Sequence, residues 1–458
     1  MKKEKKILLF IFIILISISI FLFSFGSDFF WHLKVGEYIS IHKKIPLTDI
    51  FSWYGTKNHL AWISHEWLFE VLIYQFFRIG KELGVFLYVL FMLVLISIIL
   101  WKQNEKIFTE HPLKTILWAT LGMLVFANKT LPRPHLISYF LFALTIYFAY
   151  DTFQNEKSKK IYWAPLISLL WSNFHGGSSN LSYIVYGTFL IFSILPITKD
   201  KNERTKGKQR KYFYAFFTSI FCIGINPHGI KMLFYPYLNM TYQGMIQCIE
   251  EWQHLSLTRI DGIFYSLFML GILITILRSK KKYQVIDITL LFLFMMLGVK
   301  STRFMPYFFI ISTSIVPRYW KEEKRKVQLL PIFIFLLLTI PSFYLTIYQK
   351  PEFNLVSEEM IFYLKNENHT LYNSYELGGY LIYKGIPVFI DGRADLYIDT
   401  ILCDVCEIEQ GKNQQLLDHY PLDTFLVKNH TKIESYLRKN PKYQLKLKDQ
   451  KNSLYILK

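Results

Sequence analysis

Residues Gly26 to Trp67 read GSDFFWHLKVGEYISIHKKIPLTDIFSWYGTKNHLAWISHEW and follow directly on an apolar run, Ile7 to Phe23. A linker between two membrane helices is normally short and merely polar. This one is long, aromatic and charged with both signs: Asp28, His32, Glu37, Asp49, His65 and Glu66 stand among its rings, and Pro46 breaks it. Such a stretch suits a folded loop on a membrane surface. It forms either one wall of a reactive site or an amphipathic loop whose Trp and Tyr anchor the headgroup region. Asp28, where the first apolar run emerges, is its leading candidate for chemistry, supported by His32 and Asp49.

Working outward, the rest of the chain has the composition of a membrane protein. Of its 458 residues 52% are hydrophobic and 18% aromatic, and the apolar ones come in long runs. Crossing the hydrocarbon core takes about 20 apolar residues as helix. About eleven segments qualify on a loose reading: Ile7–Phe23, Val85–Trp101, Leu113–Phe126, His135–Tyr150, Ile161–Asn173, Leu181–Leu195, Tyr212–Ile225, Ile263–Leu277, Val285–Val299, Phe304–Val316 and Val327–Tyr348. The first lacks a small-residue cleavage pattern and reads as a retained span. Glu66–Gly80 has a helical apolar stripe broken by Glu70 and Arg78, which reads as a helix lying in the interface.

The net charge of +18 does not point to nucleic acid. Lysine and arginine cluster in short segments between apolar runs, at Lys199–Lys211, Arg278–Lys282 and Arg318–Lys326. With the N-terminus inside, every strongly basic loop falls on one side, as the positive-inside rule requires. The large first loop (24–84), Ala127–Pro134, Phe174–Asn180, Asn226–Gly262 and Lys300–Arg303 then fall outside, together with the tail from Gln349. The expected fold is an α-helical polytopic membrane domain over 1–348, followed by a small extracytoplasmic α/β domain over 349–458. In that tail Glu358–Lys365 reads as helix, and Tyr380–Tyr383, Val388–Ile390, Thr424–Val427 and Leu454–Leu457 read as strands. Cys403 and Cys406 form a lone CxxC, an incidental pair or one local disulfide, since no second pair or histidine spacing points to a metal.

The unusual polar residues lie in the outer segments. Arg133 and His135 sit in LPRPHL, Asn173 and His175 in WSNFHGG, His228 in NPHG, Glu250 and Glu251 in EEW, and Lys300 and Arg303 in KSTRF. Each has an ordinary alternative as a helix stop, cap, solvated turn or snorkelling side chain. Their segregation is what those alternatives explain poorly, because ionisable groups near membrane depth are costly to desolvate. Carboxylates such as Asp28 with Glu250 or Glu251 suit a hard divalent cation (Mg or Mn) or general-base work. Arginines suit phosphate or diphosphate through their planar fork. A site with both, open to lipid, fits a phosphate head on a hydrophobic tail. In the tail domain an apolar strand ends in Asp391-Gly392-Arg393, which reads either as an acceptor-contacting pair or as a structural ion pair in a turn.

The order of these parts resembles the GT-C class of membrane glycosyltransferases, most of all the catalytic subunit of oligosaccharyltransferase. Asp28-Phe-Phe-Trp31-His32-Leu33-Lys34 is similar to the family's Asp-x-(Trp/Tyr)-x-x-Leu-Arg motif, and Arg303-Phe304-Met305 to its late Arg-Phe/Leu-Met segment. Glu250 or Glu251 corresponds to a glutamate in a long outer loop, and Tyr375-Glu-Leu-Gly378-Gly379-Tyr380 faintly echoes its outer-domain signature. The resemblance implies metal binding at Asp28 and donor diphosphate at Arg303. It also implies a polyprenyl-linked sugar donor and a glycan, lipid or protein acceptor, alongside membrane lipid. The family's second acidic motif is missing, since that loop reads Asn128-Lys-Thr-Leu-Pro-Arg133-Pro-His135. Its Trp-Trp-Asp peptide-binding motif is missing too, so asparagine glycosylation is not implied. The whole pattern also looks like a group of bacterial GT-C-type membrane proteins with no settled substrate. The expected function is transfer of a sugar from a polyprenyl phosphate or diphosphate at the outer face of the cell membrane. The alternatives are a transporter or flippase of a lipid-linked glycan, which the absence of paired broken helices disfavours, and a membrane-anchored binding protein.

Overall fold

The computed structural model describes residues 2–127, 130–196, 204–320, 353–367 and 369–458. Helix α1, Lys2–Ser17, continues as a tighter 3-10 turn to Leu22 and covers the first expected span. Gly26 then takes φ +70°, a left-handed conformation that glycine adopts without steric cost, and reverses the chain into α2, Ser27–His42. The decisive stretch thus opens with roughly four turns of helix rather than a loop. Asp28 lies in the first turn of α2, where the helix dipole favours a carboxylate.

Several of the aromatic residues here pack inside the protein: Phe29, Phe30, Trp31 and Trp62 are all buried. Phe30 packs edge-on against Tyr380 at 5.1 Å and Phe353 at 5.2 Å, while Phe77 stacks on Phe353 at 5.6 Å. Each such pair contributes about 0.5–1.5 kcal/mol beyond its buried area, so these rings fasten the tail onto α2.

Helix α3, Trp67–Glu110, merges two elements that the sequence separates. The Glu66–Gly80 segment and the Val85–Trp101 segment join across a kink at Lys81 (φ 49°, ψ −139°). Glu70, expected to interrupt an interfacial stripe, is instead completely buried against α2. There follow α4 (Pro112–Ala127), α5 (His135–Gln154), α6 (Ala164–His175), α7 (Asn180–Ile194), α8 (Lys206–Ile223), α9 (Lys231–Thr241), α10 (Gln243–Cys248), α11 (Ile260–Leu277), α12 (Val285–Lys300) and α13 (Met305–Ile315). Among the described residues, two helices, α3 and α5, are long and apolar enough to cross a membrane by length and composition. Pro112–Phe126, Asn180–Ile194 and Gly262–Leu277 are shorter apolar helices. The expected span Val327–Tyr348 and the domain boundary after it lie outside the described residues. Large apolar side chains such as Phe10, Phe91, Phe221, Leu267 and Phe292 point outward from the helices. So much exposed apolar surface is unusual for a protein bathed in water on all sides.

The tail adds α14 (Glu358–Asn366), α15 (Tyr375–Tyr383), α16 (Leu402–Glu409) and α17 (Lys432–Lys439) around a sheet of β1 (Leu371–Asn373), β2 (Thr424–Lys428), β3 (Tyr443–Lys448) and β4 (Asn452–Leu457). The strand order is β1-β2-β4-β3, with β1 and β2 parallel and the other pairs antiparallel. Helix α14 and strands β2 and β4 fall where the sequence puts them. Tyr380–Tyr383 is helix instead of strand, and Val388–Ile390 is extended but outside the sheet, bridging only Ser52. The short apolar run at 380–383 carries no period that distinguishes helix from strand. Close packing decides it: a Cβ on Gly378 would stand 2.1 Å from the Ile390 carbonyl, and one on Gly379 2.5 Å from that of Ser27. All four cysteines are free, with Cys248 on α10 and Cys403 and Cys406 on α16.

Candidate functional site

The segments expected on one side of the membrane converge with the tail on a single cavity of about 370 Å³, within the usual size of small-molecule sites. The α2 start gives Asp28, Trp31 and His32, and the turn before α3 gives His65 and Glu66. Arg133 and His135 flank the start of α5, Gly177 follows α6, and Tyr235, Cys248, Glu251 and Trp252 come from the α9–α11 connection. Arg303 stands before α13, and Tyr375, Glu376, Gly392, Asp395 and Glu409 come from the tail.

In its lining Arg133 bridges two carboxylates. One guanidinium nitrogen lies 2.8 Å from Asp28 Oδ2 and the other 2.6 Å from Glu251 Oε1. All three side chains keep part of their surface open to the cavity, 16% for Arg133, 20% for Asp28 and 31% for Glu251. Burial works against the Arg133 charge, but the two carboxylates outweigh it and hold the guanidinium firmly protonated. Burial raises Asp28 above its ordinary range against the pull of Arg133, and Glu251 and Glu66 push the same way. The result is a carboxylate with increased affinity for a proton. From the tail, Gly392 comes so near that a Cβ there would meet Asp28 Oδ1 at 2.1 Å.

Behind this bridge lies a second cluster, centred on Glu66. Its Oε1 faces His65 Nε2 at 3.1 Å and His175 Nε2 at 3.5 Å, and its Oε2 faces His32 Nε2 at 3.6 Å. Burial alone would raise Glu66, yet the surrounding imidazoles hold it well below the carboxylate range. Burial likewise works against a charge on His65, and attraction to Glu66 overcomes it, so His65 is raised. Burial drives His32 down to about 3 against the pull of Glu66, with the charges of Arg133 and His65 adding to the fall, so it is neutral at physiological pH. His175 Nδ1 meets Ser138 Oγ at 2.6 Å, while its Nε2 is 2.9 Å from Arg303 Nη2. Arg303 also lies over the Trp252 ring at 4.9 Å, so its guanidinium plane is held on two sides. Tyr235 donates at 2.8 Å to Asp395, whose carboxyl burial raises.

Several expected site residues lie elsewhere. Asp49 and Arg393, 344 positions apart, form a salt bridge of 2.8 Å, and Arg393 also grips Asp391 through two nitrogens at 2.8 and 2.7 Å. Tyr397 donates to Asp391 at 2.6 Å, and Ser52 Oγ and the Phe51 N–H donate to Asp49. Asp49, Asp391 and Arg393 have no exposed side-chain surface. They clamp the loop to the tail, and neither substrate lining nor acceptor contact is open to them. Tyr380 is buried against Phe30 and donates to Asn354 at 3.3 Å. Asn173 joins helices, donating to the Leu169 and Ile225 carbonyls and accepting from Trp67. His228 sits in an Asn226-stabilised turn beside the Ser64–His65 segment and is not itself part of the cavity lining. Lys300 is exposed, and its carbonyl pairs with His254. Glu250 shares a 3-10 turn with Glu251, and its side chain lies outside what is described.

A divalent ion at Asp28 does not suit this geometry. Asp28 and Glu251 already share one guanidinium, and the segment around Arg133 brings a cation where the GT-C resemblance would call for a carboxylate. Among the described residues, two groups have donor atoms close enough for an ion, within 4.8 Å of one another: His65, Glu66 and His175, and His32, Glu66 and Glu70. His65 and Glu66 line the cavity with Glu70 close to Glu66, and the sequence marks them only as charged residues of the opening stretch and its helix, not as candidates for chemistry. Their signal is the His-Glu-x-x-x-Glu spacing at 65–70, which puts both carboxylates on one helical face.

No protein-family model matches the chain, and no curated protein matches it. A search of solved structures finds a likeness to the crystal structure of the Archaeoglobus fulgidus oligosaccharyltransferase, tethered through a disulfide bond to an acceptor peptide containing the NVT sequon. The likeness covers 92% of this chain and 69% of that one, with a TM-score of 0.54 and 11% sequence identity. The chain therefore shares the overall fold of a GT-C-type oligosaccharyltransferase.

Proposed function

We propose that this protein is a membrane glycosyltransferase of GT-C type, moving a sugar from a polyprenyl-phosphate or polyprenyl-diphosphate donor to a glycan, lipid or protein acceptor at the outer face. The observation that carries the reading is the convergence of Asp28, Arg133, Glu251 and Arg303, from four separated segments, on one cavity of an oligosaccharyltransferase-like fold. The outward apolar side chains support the membrane setting, where a polyprenyl tail would lie against the helices.

In the reaction, the acceptor oxygen or nitrogen attacks the anomeric carbon of the sugar. The bond from that carbon to the phosphate oxygen breaks, and the phosphate leaves with the electron pair. Arg303, held by His175 and Trp252, presents its remaining N–H groups to the phosphate and stabilises its developing charge. Arg133 is engaged by both Asp28 and Glu251, so its part is to orient those carboxylates. Asp28, with its raised proton affinity, takes the acceptor proton. No step is routed through a metal at Asp28.

The test is transfer from a labelled polyprenyl donor by the full chain in liposomes. Asp28→Ala and Arg303→Ala are each expected to lower turnover roughly 10²–10³-fold while the protein stays folded. Wild-type turnover in both variants would sink the proposed site. A reporter fused after Lys458 is expected to read as outside, and a cytoplasmic reading contradicts the orientation.

A further inference from the structure

The wall of the cavity formed by α2 and α3 contains a group of buried atoms that the transfer reaction leaves unused. Glu66 and Glu70 lie one turn apart, at the cap and in the first turn of α3. Helix α2 crosses them so closely that a Cβ on Gly36 would stand 2.0 Å from the Glu70 carbonyl oxygen. His32, one turn before Gly36 on the same face, is thereby wedged between the two carboxylates. Its Nε2 is 3.6 Å from Glu66 Oε2 and its Nδ1 is 3.6 Å from Glu70 Oε1.

These separations are too long for hydrogen bonds, which bring N and O to roughly 2.7–3.2 Å. An imidazole offers an ion only one of its nitrogens; with one nitrogen of His32 and one oxygen each from Glu66 and Glu70, the three donor atoms lie within 4.8 Å of one another, near enough to close on a single ion. His32 Nδ1 and Glu70 Oε1 are both buried without a hydrogen-bond partner, a state proteins rarely leave unresolved. Ser64 donates to Glu70 Oε2 at 3.2 Å, which aims the other oxygen at His32. The opposite side of Glu66 is already satisfied by protein groups: His65 lies at 3.1 Å with its Nδ1 against the Ile63 carbonyl, and His175 takes Arg303.

We propose that His32, Glu66 and Glu70 bind one divalent transition-metal ion, of which zinc is the best match. Two carboxylates neutralise the charge of a divalent ion in this buried position, and the imidazole favours zinc over magnesium or calcium. His32 and Glu66 line the cavity and give the ion its path in, with Glu70 behind them. The site stands independently of the transferase reading.

The experiment strips the purified full-length protein with EDTA, reloads it with ZnCl2, removes excess by gel filtration and counts zinc by mass spectrometry. Wild type and Asp28→Asn are each expected to retain roughly one zinc per chain, and Glu70→Gln and His32→Gln to lose it. Cobalt substitution gives a second readout, with visible absorption bands of a tetrahedral nitrogen–oxygen site expected in wild type and absent in Glu70→Gln. Glu70→Gln keeps the side-chain shape, so loss of ion there separates ligation from unfolding when its thermal melt matches the wild-type apoprotein. Zinc absent from the wild type overturns the proposal. So does zinc kept by Glu70→Gln and lost from His65→Gln.

Discussion

Two arginines in this molecule each bridge two acidic residues, and they are built in opposite ways. Arg393, with Asp49 and Asp391, is sealed: none of the three side chains is exposed, and Tyr397, Ser52 and the Phe51 amide satisfy further oxygen positions. Arg133, with Asp28 and Glu251, is open to a cavity that also holds Arg303 and a cluster of histidines. The same pair chemistry serves attachment in one place and, in the proposed function, reactivity in the other. Access separates the two, not residue type.

The largest expected effect falls on the sealed bridge. Arg393→Ala leaves two carboxylates buried without their counter-charge, which costs about 3–5 kcal/mol. A large drop in the thermal midpoint, with cleavage by protease at the junction of loop and tail, checks this. An unchanged midpoint would show that water reaches the pair and would erase the contrast.

Gly392 sharpens the comparison because it lies between Asp391 and Arg393 while touching Asp28. A methyl group at Gly392 meets the far end of the Asp28 side chain at 2.1 Å and the Trp31 indole nitrogen at 2.8 Å, so both side chains must give way. Gly392→Ala is expected to lower its thermal midpoint less than Arg393→Ala does and to lose transfer by roughly 10²-fold, the scale of a misplacement of about 1 Å. Equal losses in stability and transfer would mean that the two bridges are mechanically one unit.

The sequence made the helical segments legible because they are long, apolar and punctuated by basic clusters. It also separated the outer polar motifs as a set. It did not show which of them meet. Arg133 and Glu251 are 118 positions apart, and nothing local distinguishes that pair from Asp49 and Arg393. Asp49, Asp391 and Arg393 carry the right chemistry for a site, and only burial reveals that they are closed. The opposite error arises at Glu66 and Glu70. Their place in an amphipathic stripe suggests an interfacial helix, whereas close packing at Gly36 turns them inward to His32. Tyr380–Tyr383 reads as strand because four apolar residues carry no period, and the glycines before them give helix the tighter fit.

The smallest effect concerns pH. Burial raises Glu409, in the cavity lining, from 4.5 to about 7, because its partner, the Tyr375 amide, only partly offsets the lost hydration. The folded chain therefore holds this proton more tightly than the unfolded chain. That contribution is complete below pH 4.5 and is lost as pH rises through 7. Glu409→Gln is expected to melt higher than wild type at pH 8 and to lose the difference near pH 4.5. A constant difference across that window would place the effect in packing.

The central claim is that the open bridge serves the reaction and the sealed one serves the fold. Arg133→Ala tests it most directly, measured for thermal midpoint and for sugar transfer from a labelled polyprenyl donor in the same preparation. Asp28 and Glu251 keep part of their surface open to the cavity, so the expected stability loss is smaller than the roughly 3–5 kcal/mol of breaking a fully buried pair, with transfer abolished. Wild-type transfer, or a collapse in stability as large as that of Arg393→Ala, would contradict the account.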